Sequence, residues 1–351
     1  MMQFDYQRLL LLSVFVTVSA TAAASAPPVR RRPKRVPNVQ RAALFGYIEE
    51  EQLLHNGGNF GRVLDAGTGL HSLRWMQTLL LDERGRNSDP DGVRITSFVG
   101  ITADPTMQRK VEKEARKLQV PYGKGGGTHN HNSKNEFLIG NWFPSKDMDT
   151  GDADDNAENE NERSTTIADL SAYFIQKGET FDTILVDYLI GAMDAFSPYT
   201  QDMLLPMLAQ LLTPSTGRLY LIGMEPVPDV LPSDASNLFC KVTRVRDAMI
   251  KLGTLTNTHH RQHRPYREYP LAWIQRQLAS RETSLREIAS KKWYLNYVHH
   301  NIMNQLNVAR YNLQFIPTAY TTRNTPDGTT DHTKNNTTRV AMEALLKEYV
   351  K

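Results

Sequence analysis

The chain has 351 residues, 40% of them hydrophobic, enough to bury a sizeable core as one large α/β domain or two small ones. Its 41 basic and 38 acidic residues leave a net charge of +3, too near balance for charge alone to point to nucleic acid. The single cysteine, Cys240, excludes an intramolecular disulfide and a Cys-rich zinc or iron–sulfur site, and it reads as a buried structural thiol.

Residues 1–26 read as a signal-peptide-like leader. The run Leu9–Ala24 is rich in Leu, Val, Phe and Ala, and it ends in small residues, Ala22 to Ala26, before Pro27. A span of about 16 residues is short of the ~20 needed for a membrane-crossing helix. Residues 27–37 are a basic linker or transit-like segment, and no acid occurs between Asp5 and Glu49. A signal-like run followed by a basic one resembles the bipartite leaders of algae with complex plastids. The expectation is passage into the secretory pathway and onward to a plastid, with secretion or mitochondrial import as alternatives. Overlapping glycosylation sequons at Asn335–Thr338 would matter only in the secretory lumen.

From Asn38 onward short β-rich runs alternate with amphipathic stretches. This is the order of an α/β fold with a doubly wound, mostly parallel, seven-strand-like sheet and helices on both faces. The pattern predicts a leading helix over Gln40–Leu54, strand Arg62–Asp65 and helix Leu70–Leu81. Strand Ile95–Ile101 and helix Pro105–Leu118 follow, with Asp104 as N-cap and Pro105 at the first helical position. Next come strand Glu136–Ile139, helix Thr166–Gln176, strand Thr183–Val186, helix Tyr199–Leu212 and strand Arg218–Ile222. Right-handed crossovers then bring the C-terminal ends of the strands to one edge, where ligands of such sheets bind. The domain spans residues 38–320, and 321–351 form a polar tail with a terminal helix.

Two insertions break the pattern. Gly123–Asn132 is a Gly-rich loop whose His129 and His131 lack the supporting shell a metal site needs, so no metal is assigned. Residues 145–163 form an acidic insertion expected to be disordered: Asp147–Glu162 carries eight acids, no base and almost nothing apolar.

The chemistry centres on Val63-Leu64-Asp65-Ala66-Gly67-Thr68-Gly69-Leu70-His71-Ser72, where an apolar run ends in an acid followed almost at once by G-x-G. Glycines there let the backbone turn and approach a ligand closely, and the following helix N-terminus favours an anionic group. The segment resembles the first motif of class I methyltransferases that use S-adenosylmethionine (SAM), D/E-x-G-x-G-x-G, with His71 in place of the third glycine. The resemblance covers about Gly61–Gly223. It implies that Asp65 holds the SAM ammonium and that Gly67 and Gly69 lie against its methionine part. It further implies that Asp104, at the end of strand two, receives the ribose hydroxyls, with a plain helix cap as the alternative. In Ile139-Gly140-Asn141-Trp142-Phe143-Pro144 it implies Asn141 on the adenine amino group and Trp142 against the ring, with Trp142 as core the alternative. The fourth motif, Phe181–Asp194, places Asp187, Tyr188 and Asp194 as candidates to position the methyl acceptor or take its proton. The pattern of His263–Pro270 with Gln305–Arg310 also resembles a group of algal and oomycete methyltransferase-like proteins.

Between Lys241 and Arg310 there are thirteen Lys/Arg against four Asp/Glu. This is either a solvated face or a lid in which Arg264, Tyr266 and Arg267 receive an acidic acceptor. The reading overall is SAM-dependent methyl transfer to a small molecule or protein, with nucleic acid not favoured. Two rivals stand beside it. An NAD(P)-dependent oxidoreductase would use G-x-G-x-x-G/A with Ser72 in the third slot, but the Tyr-x-x-x-Lys of its short-chain form occurs only as Tyr173 with Lys177, before strand four. A non-catalytic methyltransferase-like scaffold is the other.

Overall fold

The computed structural model describes residues 11–20, 43–80, 92–118, 120, 123–124, 135–144, 167–197, 199–227, 234–256, 267–280, 282–283, 285–295, 303–304, 306–308, 310–311, 319–324 and 330–335. In chain order the strands of the main sheet are β1 (Leu11–Ala20), β2 (Asn59–Asp65), β3 (Arg94–Thr102), β4 (Gly123–Lys124), β5 (Glu136–Ile139), β6 (Thr183–Asp187), β7 (Arg218–Met224) and β8 (Leu285–Leu295). They lie in the order β4-β5-β3-β2-β6-β7-β1-β8. The five strands β5, β3, β2, β6 and β7 form a parallel core, with the two-residue β4 parallel to β5 at one edge. The fold is therefore α/β, and its sheet has eight strands among the described residues rather than seven.

Parallel strands covered on both faces become continuously apolar, and β6 is the example: Thr183 to Val186 are all buried. Successive side chains leave opposite faces of a strand. Ile184 and Val186 of β6 and Leu219 and Leu221 of β7 join Leu204 and Leu208 of α6 (Gln201–Gln210), Phe174 of α4 (Leu170–Lys177) and Ile274 of α8 (Leu271–Leu278) in one cluster. The alternating Tyr220 faces the other way, where its hydroxyl donates to the Gln52 side chain of α1 (Ala43–Asn56). On that face Phe60 meets Trp75 of α2 (Leu70–Leu79) edge to face at 5.4 Å. The Trp75 Nε1–H in turn donates to Glu49 Oε1 at 2.8 Å, so a satisfied buried polar network docks α1 and α2.

The helix starts follow local capping chemistry. Asp104 Oδ1 accepts from the Thr106 N–H at 2.8 Å and Pro105 opens α3 (Pro105–Lys117), as the sequence predicts. Asp169 caps α4 in the same way through the Ala172 N–H, which moves its start from the expected Thr166 to Leu170. At Gly61 the backbone has φ +63°, and a Cβ there would meet the Asp182 carboxylate at 2.2 Å. Only glycine lets Asp182 reach across to accept from the Arg62 N–H at 2.9 Å.

Two compact units divide the chain: residues 13–225 with 269–292, and residues 1–12, 226–268 and 293–351. The first contains the parallel core. The second contains α7 (Asp234–Thr256), which buries Cys240, Val242, Met249 and Ile250, and a hairpin of β9 (Ala319–Asn324) with β10 (Thr330–Asn335). That hairpin occupies much of the region expected as a polar tail, because alternating Thr, Tyr and charged residues suit a two-stranded ribbon. The expected terminal helix, the acidic insertion 145–163, His129 and His131 lie outside the described residues. Strand β8 runs from Leu285 to Leu295. No helix among the described residues is long and apolar enough to cross a membrane.

The apolar run read as a leader is β1, antiparallel to β7 with Ser13 opposite Met224 through Ser19 opposite Arg218. The strand and a removable leader are competing fates of the same residues. A chain beginning at Pro27 loses β1 and bares the main-chain edges of β7 and β8. It is expected to melt more than about 5 °C lower than the full chain by calorimetry, a shift of roughly 2 kcal/mol in a protein this size. Equal melting temperatures would return these residues to the leader reading.

Candidate functional site

The parallel register brings the ends of β2, β3, β5 and β6 to one edge: Asp65 lies opposite Gly100 and Leu185, and Thr102 opposite Ile139. The loops leaving those strands enclose a cavity of about 190 Å³. Its floor is Ala66, Gly67 and Thr68, and one wall runs from Ile101 to Asp104 with Met107. Gly140, Asn141 and Trp142 form a second wall, and Leu189, Ala192, Met193, Phe196 and Ser197 form the third. The enclosed space is below the ~300–1,000 Å³ of pockets that swallow a drug-sized ligand, and suits a ring and its sugar with the remainder of the ligand lying along the strand ends.

The floor is held by its main chain. The Ala66 N–H donates to Leu185 O at 2.9 Å, and the Trp142 Nε1–H donates to Ala66 O at 2.8 Å. A Cβ on Gly67 would come within 3.2 Å of Leu189, so glycine there lets the post-β6 segment close on the loop. Gly69 precedes α2 in extended conformation and its N–H donates to Ser72 Oγ at 3.1 Å. His71, in the position of the motif's third glycine, is exposed on the first turn of α2 and does not line the cavity.

Asp65 is the electrostatic centre. It has no exposed surface, and neither carboxylate oxygen has a hydrogen-bond partner. Thr68 and Ser72 stand close but direct their hydroxyls to main-chain carbonyls, Thr68 Oγ1 to Asp65 O and Ser72 Oγ to Gly69 O, each at 3.1 Å. Burial pushes the Asp65 carboxyl up to about 7, with repulsion from Asp187 adding to the rise and Ser72, Thr68 and the Gly67 amide tempering it. Burial likewise pushes Asp187, at the end of β6, up to about 6.

Of the nine residues singled out from sequence, Gly67, Asp104, Asn141 and Trp142 come together around the cavity. Asp104 is both a helix cap, its Oδ1 accepting from the Thr106 N–H, and a residue of the cavity wall. Trp142 also combines its two readings: it is buried in the core cluster, 6.1 Å from Phe174, and it lines the cavity. Asn141 is buried, with its main chain tied to Ile167 and Leu170. Asp65 lies next to the floor and Gly69 beyond it. Asp187, Tyr188 and Asp194 flank the third wall without lining it. Tyr188 takes the left-handed conformation, φ 53° and ψ 12°, as the N-cap of the four-residue α5 (Leu189–Ala192). That geometry costs an ordinary side chain roughly 1–3 kcal/mol and is held by the Tyr188 N–H donating to Ile222 O at 3.0 Å.

Sequence reasoning missed the apolar wall. Leu189, Ala192, Met193 and Phe196 carry no reactive group, and their one signal was their place just after an acid-terminated strand. Tyr173 and Lys177 are hydrogen-bonded to each other on α4 and do not line the cavity. Arg264 and Tyr266 lie outside the described residues.

No protein-family model matches the chain, and a comparison with curated proteins finds no match. Among solved structures it is similar to the YcgJ protein from Bacillus subtilis, with a TM-score of 0.40 and 14% identity over 81% of this chain and 91% of that one.

Both raised carboxyls hold their protons in the folded chain above the ~3.9 of an unfolded aspartate. Stability from these groups is thus full below about pH 4 and declines as pH rises towards 7, where the unfolded chain is ionised and the folded one resists it. Asp65→Asn keeps the shape and removes the buried charge. By scanning fluorimetry across pH 5–8, its melting temperature relative to the parent is expected to climb with pH, reaching a gain of about 4 °C or more at pH 8. A variant that melts below the parent at pH 8 would show that the carboxylate is satisfied.

Proposed function

We propose that the cavity binds S-adenosylmethionine and that the protein transfers its methyl group to an acceptor. The observation that carries this reading is the Asp65 carboxylate, buried beneath the G-x-G turn with no hydrogen-bond partner. Such a group favours a cationic ligand, and the amino group of an amino-acid ligand is one. An anionic pyrophosphate seated on the same turn would face Asp65 and Asp187 at the neighbouring strand end, which disfavours a dinucleotide and so the oxidoreductase alternative.

The residues present fit the group. Asp104 on the cavity wall suits a ribose diol, and Asn141 with Trp142 suits an adenine edge and face. When bound, SAM supplies a methyl group on a positively charged sulfur, already activated for displacement. The protein's tasks are alignment and exclusion of water, which the buried Trp142 and Met193 and the half-buried Leu189 serve. We assign Asp187, Tyr188 and Asp194 to the acceptor side. Asp187, whose carboxyl is pushed up to about 6, is a base matched to taking an acceptor proton near neutral pH.

Calorimetric titration with SAM, S-adenosylhomocysteine and NAD(P)H in parallel tests the reading. The two adenosylated sulfur ligands are expected to bind and NAD(P)H is not. Asp65→Ala and Asp104→Ala should each weaken SAM binding about tenfold or more while the fold persists. Unchanged affinity in both would sink the assignment, NAD(P)H binding would favour the oxidoreductase, and silence from all three would favour a scaffold.

A further inference from the structure

Resting on that reading, we infer that the methyl acceptor is a small molecule with an apolar, ring-sized body and no negative charge, received by Phe196, Tyr199 and Met203. Three of the five large hydrophobic side chains that are exposed among the described residues fall within these eight positions of the chain: Phe196 at 37%, Tyr199 at 84% and Met203 at 53%. Apolar groups exposed together beside a cavity mark a binding surface more strongly than the same groups scattered. Phe196 itself lines the cavity, and Tyr199 and Met203 follow it within the next seven positions of the chain.

The segment is braced rather than loose. Ser197 Oγ donates to Phe143 O at 3.4 Å, Thr200 Oγ1 donates to Ser197 O at 2.7 Å, and the Met203 N–H donates to Thr200 O at 3.0 Å. Tyr199 is held at φ 67°, a conformation an ordinary residue adopts at a cost. In the same segment Gln201 is buried with its Nε2 unpaired, a neutral donor for a polar atom of a ligand.

Charge decides which ligand. From Asp187, at the cavity end of β6, to Gly217 the chain carries three acidic residues, Asp187, Asp194 and Asp202, and no Lys or Arg, and among the described residues the charged one lining the cavity is Asp104. An anionic acceptor would meet only like charge from these residues, whereas a neutral or amine-bearing one would not. Size decides between a small molecule and a protein surface. Stable protein interfaces use about 20–30 residues a side, and three apolar side chains fall far short of that, but they suffice to cover a ring.

The test uses the full chain saturated with S-adenosylhomocysteine and three naphthalene probes that differ in charge: 2-naphthol, 2-naphthylmethylamine and 2-naphthoate, titrated by calorimetry. The first two are expected to bind at least tenfold more tightly than the third. The Tyr199→Ser, Met203→Ser double variant should weaken both about tenfold, while affinity for S-adenosylhomocysteine stays within twofold. Both positions are exposed, so the fold should persist, and Tyr199→Phe should retain binding. Met203→Lys should shift the preference towards 2-naphthoate. Equal or tighter binding of 2-naphthoate by the parent chain, indifference to the double variant, or no probe binding with S-adenosylhomocysteine bound would overturn the inference alone. Failure of S-adenosylhomocysteine itself to bind would remove the proposed function and this inference with it.

Discussion

A carboxylate sealed from water without a hydrogen bond is among the costlier things a protein can hold, and Asp65 holds one at the centre of the sheet. The surrounding structure keeps it so. Strand β2 ends there between β3 and β6, and the nearest hydroxyls, Thr68 and Ser72, are committed to the main chain that shapes the loop. A side chain selected for stability alone would be neutral at this place. The cost is intelligible if a cation completes the site, as the proposed function requires.

The loop conformation and the electrostatics depend on each other. Gly67 admits Leu189, Leu189 brings the post-β6 segment over the floor, and Trp142 pins Ala66 from the other side. Asp65 is fully buried beside this floor and Asp187 half-buried at the next strand end, and desolvation is the leading cause of the rise in both carboxyls. Shape and proton affinity thus have one origin. The apolar wall and the exposed Phe196, Tyr199 and Met203 side chains extend this logic outward, since an acidic, base-free stretch of chain can welcome an uncharged ring but not an anion.

Much of the fold was legible in the sequence. Continuous apolar runs such as Thr183–Val186 and the capping pair Asp104-Pro105 carry their own structural instructions, and β5 and the start of α3 fall where the pattern puts them. What local pattern does not carry is pairing. The run Leu11–Ala20 has the composition of a leader and of a strand alike, and its register beside β7 is not written in that composition. The β9–β10 hairpin escaped because its strands are polar and its partner lies next to it in the chain rather than in an apolar core.

The sequence by itself determined the order of strands and helices, the acid-glycine turn after β2, and the acidic ends of β2 and β6, because these rest on local periodicity, capping and side-chain identity. Tertiary structure decided which of the named residues meet. Asp104, Asn141 and Trp142 reach one cavity with Gly67, while Asp187, Tyr188 and Asp194 stand beside its wall. It also decided that the Asp65 carboxyl oxygens lack a hydrogen-bond partner and that Phe196, Tyr199 and Met203 are each exposed. Burial, hydrogen-bond satisfaction and exposure are properties of neighbours brought together by the sheet from distant parts of the chain, and no local pattern encodes them.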